Sequence, residues 1–523
     1  MKRTARALLS VTAVVAACVG ATEVFGSRPP AAAPTGVRVP VSATGSVCPD
    51  VESENVAINT SRVSAAIPPA GSSSTEGTGD EGDRTVQRAS ATVARLGADK
   101  ATLEVKKAGA TAAVDVRRPG KHDSSSFTAL ASGNLAPGFT VASTTYLDFN
   151  KGSSGTGQRR GLASETCPQP GTDFWFLGTG ADPSRDARLY LVNPESSPAQ
   201  LDIDLYSEAG PINTPAIAAT QGLVVDAATV RTPINLSVLT AEAGKQPRSL
   251  VAVHVSVRVG RVAAGLLDAQ QEDGAGAGID WLTPIDNPAT KAVIPGVPGG
   301  KGDRILYLFA PEEGGALVHL ALAGKNGIFT PASEKEGPID SVAVDGDKVT
   351  KVDLTEAAQR EPFSVLLQSD QPVLASVRVR TASGHRDYGF VPMASPLGGP
   401  SVAADVRQGS GYASSVLLTA PTGSAKATLT LLVEGEAPKK LTEVTVAKGK
   451  TVQVPLKGIG KQAAVVITPS AGSAPLYGSR LMTRKVAGGD MLTIEPLAAS
   501  RTTTLVPTVV NDLSAGLRPA EAK

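Results

Sequence analysis

The 523-residue chain is too long for one hydrophobic core, and at roughly 100–200 residues per domain about three to five domains are expected. Its 50 Lys and Arg balance 49 Asp and Glu, which excludes a strong field steering it to nucleic acid or an anionic surface. The 54 glycines and 38 prolines interrupt a chain that is 41% hydrophobic. Frequent turns of this kind predict many short strands instead of long helices.

The first 26 residues have the pattern of a signal peptide or membrane anchor. Three basic residues precede an apolar run over residues 7–21, which at about 15 residues is short for a bilayer span but suits an export signal. Residues 15–18 also fit a lipobox, so Cys18 is a candidate for lipidation. The alternative places Cys18 inside the signal, with cleavage at residues 19–21. Either way the pattern predicts an exported, extracytoplasmic protein, associated with the membrane or the cell wall.

Beyond this segment only Cys48 and Cys167 remain. An even pair of cysteines in an oxidising compartment is expected to form a disulfide; the alternative is two buried or unpaired thiols. The bond would clamp the first domain across a polar, Gly- and Ser-rich insertion at about residues 68–88. That insertion contains too little apolar surface to order itself, and we expect it to be disordered.

A repeated pattern of alternating apolar residues organises the rest of the chain. In its first copy, RLYLVNPESSPAQLDIDLYSEAG (residues 188–210), the alternation stops at Asn193-Pro194 and resumes after Pro198. Similar copies begin at Leu306 and Val416. We interpret each copy as a β-hairpin. A second predicted hairpin follows each copy, over residues 250–267, 363–380 and 463–482.

The repeat period of about 110 residues is typical of antiparallel β-sandwiches of immunoglobulin-like type. The predicted fold class is therefore all-β, with about four tandem immunoglobulin-like sandwich units after the N-terminal segment. The predicted divisions are 1–26 signal peptide or anchor, 27–40 flexible tether, 41–170 first sandwich, 171–289 second, 290–398 third, 399–511 fourth with a terminal strand, and 512–523 disordered tail. The sequence leaves open whether these units form a straight rod or fold back.

The terminal strand within TTTLVPTVVND (residues 502–512) resembles the strand that opens each unit, but no further unit follows it. A bare apolar edge strand invites aggregation. We therefore expect its edge to be covered, either by the first domain or by a partner.

No residue pattern points to catalysis, a cofactor or a metal site. The four histidines show no zinc-ligand spacing with cysteine, and no nucleophile elbow is present. Asp345 and Asp347 could bind calcium, although an Asp-Gly step is also a common hairpin turn. Trp175, in the stretch DFWF, is a candidate for ligand contact; the alternative is a plug between domains.

The stretches CPQPGTDFWFLGTG (residues 167–180) and GIDWLTPIDNPA (residues 278–289) resemble a family of secreted actinobacterial proteins, the domain of unknown function 5719 family. The similarity extends over about residues 48–511. Such proteins are encoded near a large membrane glycosyltransferase of cell-envelope synthesis, so the resemblance implies an envelope role. The family has no established catalytic residues.

We therefore expect a non-catalytic exported cell-envelope protein that acts as a binding or scaffold module, accessory to envelope polysaccharide synthesis. The expected partner is an envelope protein, such as a membrane glycosyltransferase, with a tether to the membrane through the N-terminus and no nucleic acid. One alternative is a cell-wall polysaccharide-binding protein, which needs clustered exposed aromatic side chains. A remote alternative is a glycan hydrolase, which needs two carboxylates converging in a pocket.

Overall fold

The computed structural model describes residues 36–49, 58–70, 89–116, 126–148, 159–212, 220–242, 248–333, 337–356, 361–382 and 386–507. The predicted signal or anchor, most of the insertion predicted at residues 68–88 and the tail at 512–523 lie outside these ranges. The described elements are almost entirely strands in antiparallel sheets, which confirms the all-β class. One 3₁₀ turn, Gly133–Leu135, and one helix, α1 (Leu236–Glu242), complete the described elements, and neither is long and apolar enough to cross a bilayer.

The chain divides into two compact units. The smaller one contains β1 (Gly36–Pro40) and β38 (Thr503–Pro507), which pair antiparallel with Val37 opposite Val506. The terminal strand is thus paired by residues 36–40, which were predicted to be part of a flexible tether. Those residues form a strand because Gly-Val-Arg-Val-Pro has the β-branched alternation that pairs with Thr-Thr-Leu-Val-Pro.

The larger unit, here called the body, contains the described residues between Val41 and Thr502. Its first pair of sheets has eight strands: β2 (Ala43–Cys48), β3 (Ile58–Ala66), β4 (Ser90–Arg95), β5 (Ala101–Glu104), β6 (Thr111–Val116), β7 (Phe127–Ser132), β8 (Thr140–Asp148) and β9 (Gly161–Thr166). The second pair contains β10 (Asp173–Thr179), β11 (Arg188–Asn193), β12 (Ala199–Ser207), β13 (Gly210–Ile212), β14 (Leu223–Val225), β15 (Thr229–Val230), β16 (Ile234–Asn235), β17 (Val251–Val259), β18 (Ala263–Glu272) and β19 (Ala275–Leu282).

The third pair contains β20 (Ala289–Val297), β21 (Arg304–Phe309), β22 (Ala316–Ala323), β23 (Ile328–Phe329), β26 (Ser341–Val344), β27 (Val349–Asp353), β28 (Phe363–Arg380) and β29 (Tyr388–Pro392), beside a small ribbon of β24 (Ala332–Ser333) and β25 (Gly337–Pro338). The fourth contains β30 (Ser401–Val406), β31 (Tyr412–Ala420), β32 (Ala425–Leu432), β33 (Lys439–Val446), β34 (Lys450–Pro455), β35 (Ala463–Pro469), β36 (Tyr477–Val486) and β37 (Gly489–Pro496).

The same strand order recurs in all four pairs of sheets. With the strand positions of a pair labelled a to h in chain order, one sheet has the order a-f-c-d and the other e-b-g-h. In the second pair β13 and β14 share position d, and β15 and β16 share position e. In the third pair β23 and β26 share position d, and the long strand β28 fills both f and g. In the first pair these sheets are β2-β7-β4-β5 and β6-β3-β8-β9, and in the fourth β30-β35-β32-β33 and β34-β31-β36-β37. This recurrence is consistent with the predicted tandem sandwich units.

The predicted hairpins are wrong in one respect: their two strands lie in opposite sheets. Strands β11 and β12 of the first copy belong to different sheets, and so do β17 and β18. The single strand β28 pairs with β22 through its first half and with β21 through its second half, so it passes from one sheet to the other. Apolar alternation is the same in a hairpin and in such a crossover, because only the hydrogen-bonded neighbour differs.

The apolar alternation stops at Asn193-Pro194 for a local reason. The Asn193 side-chain amide donates to the carbonyl oxygens of Ser197 and Val225, at 2.8 and 3.0 Å, and its oxygen accepts from the Glu195 N–H. A buried asparagine therefore satisfies the main chain of the loop that leads from β11 to β12.

A core of apolar side chains fills each pair of sheets. In the second pair, Leu201, Ile203 and Leu205 of β12 share one core cluster with Leu189 and Leu191 of β11. In β12 these positions alternate with the polar Gln200, Asp202 and Asp204 on the other face, as expected of a sandwich. In β11 they alternate with Tyr190 and Val192, which are buried in clusters outside this core.

The four pairs of sheets pack in a closed cycle. Consecutive pairs share apolar clusters, and the fourth pair returns to the first, where Tyr146 and Leu162 pack against Met482 and Met491. The shared clusters include Leu147 with Trp281 (first and second), Trp175 with Phe309 (second and third), Ile294 with Leu417 (third and fourth), and Ala142 with Val402 (fourth and first). A straight rod does not bring its first and last units into contact, so the folded-back arrangement is the observed one.

The closure predicts a measurable coupling between the first and fourth pairs. The Arg484 guanidinium carbon lies 3.5 Å from the centroid of the Tyr146 ring. A double-mutant cycle with Tyr146→Leu and Arg484→Met should give a coupling of about 0.5–2 kcal/mol in the free energy of unfolding, because a partly desolvated cation–π contact is lost. The matched cycle at Arg95 and Phe127, a contact inside the first pair at 5.2 Å, serves as control. Coupling at the control pair with none at Tyr146 would contradict the closure.

Candidate functional site

The four h strands β9, β19, β29 and β37 meet in the body, in a region that we call the central junction. Each h strand is the edge of its sheet and pairs on one side with a g strand. On the other side β9 contacts β19 and β37, and β29 contacts the same two strands. Four strand edges that would otherwise expose unpaired main-chain groups are thus turned towards one another.

Asp387, immediately before β29, binds the main chain of the other three h strands. Its Oδ1 accepts from the Ile279 N–H at 3.2 Å. Its Oδ2 accepts from the N–H groups of Leu162 and Leu492, both at 3.1 Å. One carboxylate therefore substitutes for a neighbouring strand at three edges.

Asp280, on β19, makes a second set of bonds. Its Oδ1 lies 2.9 Å from Thr493 Oγ1 and accepts a long hydrogen bond from the Ser164 N–H at 3.4 Å. Its Oδ2 accepts from the Phe390 N–H at 3.3 Å. Asp280 and Asp387 together connect all four h strands.

Two further buried acids have arginine partners. Glu495 on β37 pairs with Arg480 at 2.7 Å. Asp268 on β18 pairs with Arg185 at 2.6 Å and accepts from the Tyr388 hydroxyl at 2.5 Å, which joins the second pair of sheets to the third. Each of these two carboxylates is therefore compensated by the positive charge of a buried arginine.

Burial changes the protonation of the junction. Loss of hydration raises the pKa of Asp387 to about 7, although hydrogen bonds from four backbone N–H groups act in the opposite direction. Burial raises the pKa of Asp280 well above its usual value, and the negative charges of Asp387 and Glu495 add to the effect. Both side chains are fully buried, so a large substrate such as a glycan does not reach them in this conformation.

Glycine permits the close approach of the h strands. Gly161 of β9 has φ +151°, and a Cβ there would lie 2.5 Å from Asp387 Oδ1. Gly278 of β19 has φ +126°, and a Cβ there would lie 2.4 Å from the Tyr388 ring. Any larger residue at these positions would push the strands apart.

Trp175 is buried, with 7% of its surface exposed, between the second and third pairs of sheets. The His254 imidazole stacks on its ring at a centroid distance of 3.8 Å, and the Phe309 ring lies at 5.6 Å. The structure therefore corrects the prediction of ligand contact by Trp175: the ring is an inter-sandwich plug because neighbouring side chains occupy the surface that a ligand would need. Tyr388 is also buried, and Tyr206 and Tyr412 are half-buried.

Cys48 and Cys167 form the predicted disulfide. The bond joins the last residue of β2 to the residue after β9, so it fixes one end of an h strand to the opposite sheet. Cys18 lies outside the described residues.

The acidic turn proposed for calcium lies beside a surface concavity of about 570 Å³ that Asp345, Glu313 and Asp370 line. Burial and the nearby Glu313 and Glu312 raise the pKa of Asp347. Within the described ranges, no group of three or more His, Cys, Asp or Glu is placed to hold a metal ion. A second concavity, of about 330 Å³, is lined by residues 396–400 and 468–475, mostly Pro, Gly, Ala and Ser.

Sequence reasoning missed the central junction. A signal was present at two places: Asp280 interrupts the apolar stretch Gly278-Ile279-Asp280-Trp281-Leu282, and Glu495 follows Ile494. A carboxylate inside an apolar strand indicates a buried acid with specific partners. The partners were not predictable, because Asp387 and Leu162 are 225 residues apart.

The fold and the junction define an all-β protein of paired antiparallel sheets joined at a buried polar centre. The chain belongs to the DUF5719 family, a family of unknown function, whose sequence profile matches residues 116–457. This confirms the family that the sequence predicted, over residues 116–457. No curated protein and no solved structure matches the chain.

The disulfide should contribute strongly to stability. It closes a separation of 119 residues, for which the chain-entropy relation gives about 4–5 kcal/mol. The double variant Cys48→Ser, Cys167→Ser should lower the free energy of unfolding in urea by about this amount. Wild-type protein kept in reductant is the matched control and should behave like the variant. An unchanged free energy of unfolding in both would contradict this role.

The burial of Trp175 is testable by fluorescence. The chain has two tryptophans, so the variant Trp281→Phe leaves Trp175 as the single emitter. Acrylamide should quench this emission weakly, because the ring is enclosed, and added cell-wall polysaccharide should leave the spectrum unchanged. Free tryptophan amide provides the reference for full exposure. Strong quenching together with a spectral shift on adding glycan would restore Trp175 as a ligand platform.

Proposed function

We propose that this protein is an exported, non-catalytic scaffold of the cell envelope that binds a protein partner, as an accessory to envelope polysaccharide synthesis. The observation that carries the proposal is the use of its buried charged groups. Asp280, Asp387, Asp268 and Glu495 bind main-chain N–H groups, hydroxyls and arginines that hold the pairs of sheets together. Such an arrangement stabilises a rigid body whose loops are free to carry recognition.

Export is supported by the basic and apolar pattern of the first 26 residues and by the Cys48–Cys167 disulfide, since such bonds persist in oxidising compartments. The N-terminal segment would tether the protein to the membrane. An extracytoplasmic location places the body beside membrane enzymes that build surface polysaccharide, which is the partner class that the family resemblance implies.

The two alternative functions fit the site less well. A wall polysaccharide-binding protein would offer exposed aromatic rings, whereas Trp175 and Tyr388 are enclosed. A glycan hydrolase would place two carboxylates across an open groove. The junction acids Asp280 and Asp387 lack such an opening because both are fully buried.

In-cell photocrosslinking tests the proposal. A photoreactive amino acid would replace Glu313 or Glu436, both exposed on loops, and in a matched control Asp226, exposed on a different loop. The crosslinked protein would be purified from the native organism and its adducts identified by mass spectrometry. We expect a membrane protein of envelope synthesis among the adducts at Glu313 or Glu436. The adducts at the control position Asp226 should differ from these.

Recovery of wall glycan alone, with no protein adduct at any position, would contradict the scaffold function and favour the polysaccharide-binding alternative.

A further inference from the structure

The central junction holds two acids without a basic partner. Glu495 and Asp268 each pair with a buried arginine. In the described part of the chain, the hydrogen-bond partners of Asp280 and Asp387 are backbone N–H groups and one hydroxyl. Two ionised carboxylates in this position would leave uncompensated negative charge in a region excluded from water, which is strongly unfavourable.

The groups that face Asp280 do not relieve this charge. The elements packed around it contribute Ser164 from β9, Thr493 and Glu495 from β37, Arg480 from β36, Asp268 from β18, and Asp387 and Tyr388 from the β29 segment. The Arg480 charge is taken up by Glu495, and Arg185 is bound to Asp268. Arg378 of β28 acts on Tyr388, and among the described residues no cation forms an ion pair with Asp280. The charges that act most on Asp280 are those of Asp387 and Glu495, which are negative, so a proton is left to neutralise its carboxyl.

The geometry distinguishes the two carboxyls as sites for that proton. Every hydrogen-bond partner of Asp387 is a backbone N–H, so a proton on Asp387 would point at a donor. Asp280 Oδ1 lies 2.9 Å from Thr493 Oγ1, and a hydroxyl can accept as well as donate. A protonated Asp280 can therefore donate to Thr493 and still accept from the Phe390 N–H through Oδ2.

We propose that Asp280 carries a proton when the four h strands are assembled, and that this proton acts as a pH-sensitive latch on the closed cycle of sandwiches. Loss of the proton adds a buried negative charge beside Asp387 and weakens the contact of β19 with β29 and β37. The latch is a property of the body and does not depend on the proposed scaffold function.

The direction of the pH effect follows from linkage. Burial raises the pKa of Asp280 in the folded protein above that of the unfolded chain, so the folded protein holds the proton at pH values where the unfolded chain has released it. The stabilising effect is complete below the unfolded pKa, near 4, and decreases as pH rises towards the folded pKa. The body should therefore be tightest in mild acid and loosen as pH rises, with the titration of Asp387 near pH 7 acting in the same direction.

Infrared difference spectroscopy in D₂O detects the proton directly, because a protonated carboxyl absorbs apart from carboxylates. We would subtract the spectrum of Asp280→Asn from that of the wild-type full chain at pH 7. The expected result is one protonated-carboxyl band that the variant lacks. Asp226→Asn, the same substitution at an exposed position, should leave the band in place. Asp387, whose pKa is about 7, contributes its own protonated-carboxyl absorption to both spectra. A wild-type-minus-variant spectrum with no protonated-carboxyl band would overturn the assignment.

Urea unfolding from pH 5 to pH 7 provides the functional readout. The unfolding equilibrium constant of the wild type should rise about tenfold per pH unit more steeply than that of Asp280→Asn, since one proton is linked to folding. Asp226→Asn should keep the wild-type slope. Equal slopes in the wild type and Asp280→Asn would overturn the latch. If Asp280→Asn does not fold, the complete absence of a protonated-carboxyl band in the wild type at pH 7 overturns the proposal by itself.

Discussion

The structure depends on how four strand edges are satisfied. Every sandwich built from open sheets leaves edge strands whose N–H and C=O groups need partners. In this body, the h strand at the edge of each e-b-g-h sheet turns its free side towards two of the other h strands. The edges do not align as a continuous sheet, so side chains supply the missing acceptors. Asp387 alone receives N–H groups from three different h strands.

This solution has an energetic consequence. Carboxylates are strong acceptors for backbone N–H groups, but each buried charge that lacks a cation costs several kcal/mol. The chain balances Glu495 and Asp268 with Arg480 and Arg185, and leaves Asp280 and Asp387 to proton equilibrium. A junction of this kind is more specific than an apolar one, because each carboxylate has a defined set of donors. It is also sensitive to pH, which an apolar junction is not.

Much of the architecture could be predicted from the sequence, because it depends on the local pattern of apolar residues, turns and cysteines. Alternation around Asn193-Pro194 and its later copies predicted the repeated strands, and an even pair of cysteines after an export signal predicted the Cys48–Cys167 bond. Which sheet each strand joins was not readable, since β11 and β12 have the same alternation whether they pair or cross between sheets. Trp175 was ambiguous for a related reason: its place in the stretch DFWF fits both a plug and a ligand platform, and only the tertiary neighbours His254 and Phe309 decide. The junction depends on contacts between residues more than 100 positions apart, which no local pattern encodes.

The central claim is that the h-strand edges are closed against one another, and amide hydrogen exchange tests it most directly. The N–H groups of Leu162, Ile279 and Leu492 are bound by a side chain and not by a neighbouring strand. Exchange followed by mass spectrometry at residue resolution should show these three amides protected to the same degree as amides in the interior strand β17 of the second pair. Exchange as fast as at the exposed edge strand β33 would mean that the four edges are open in solution, and it would contradict the closed body.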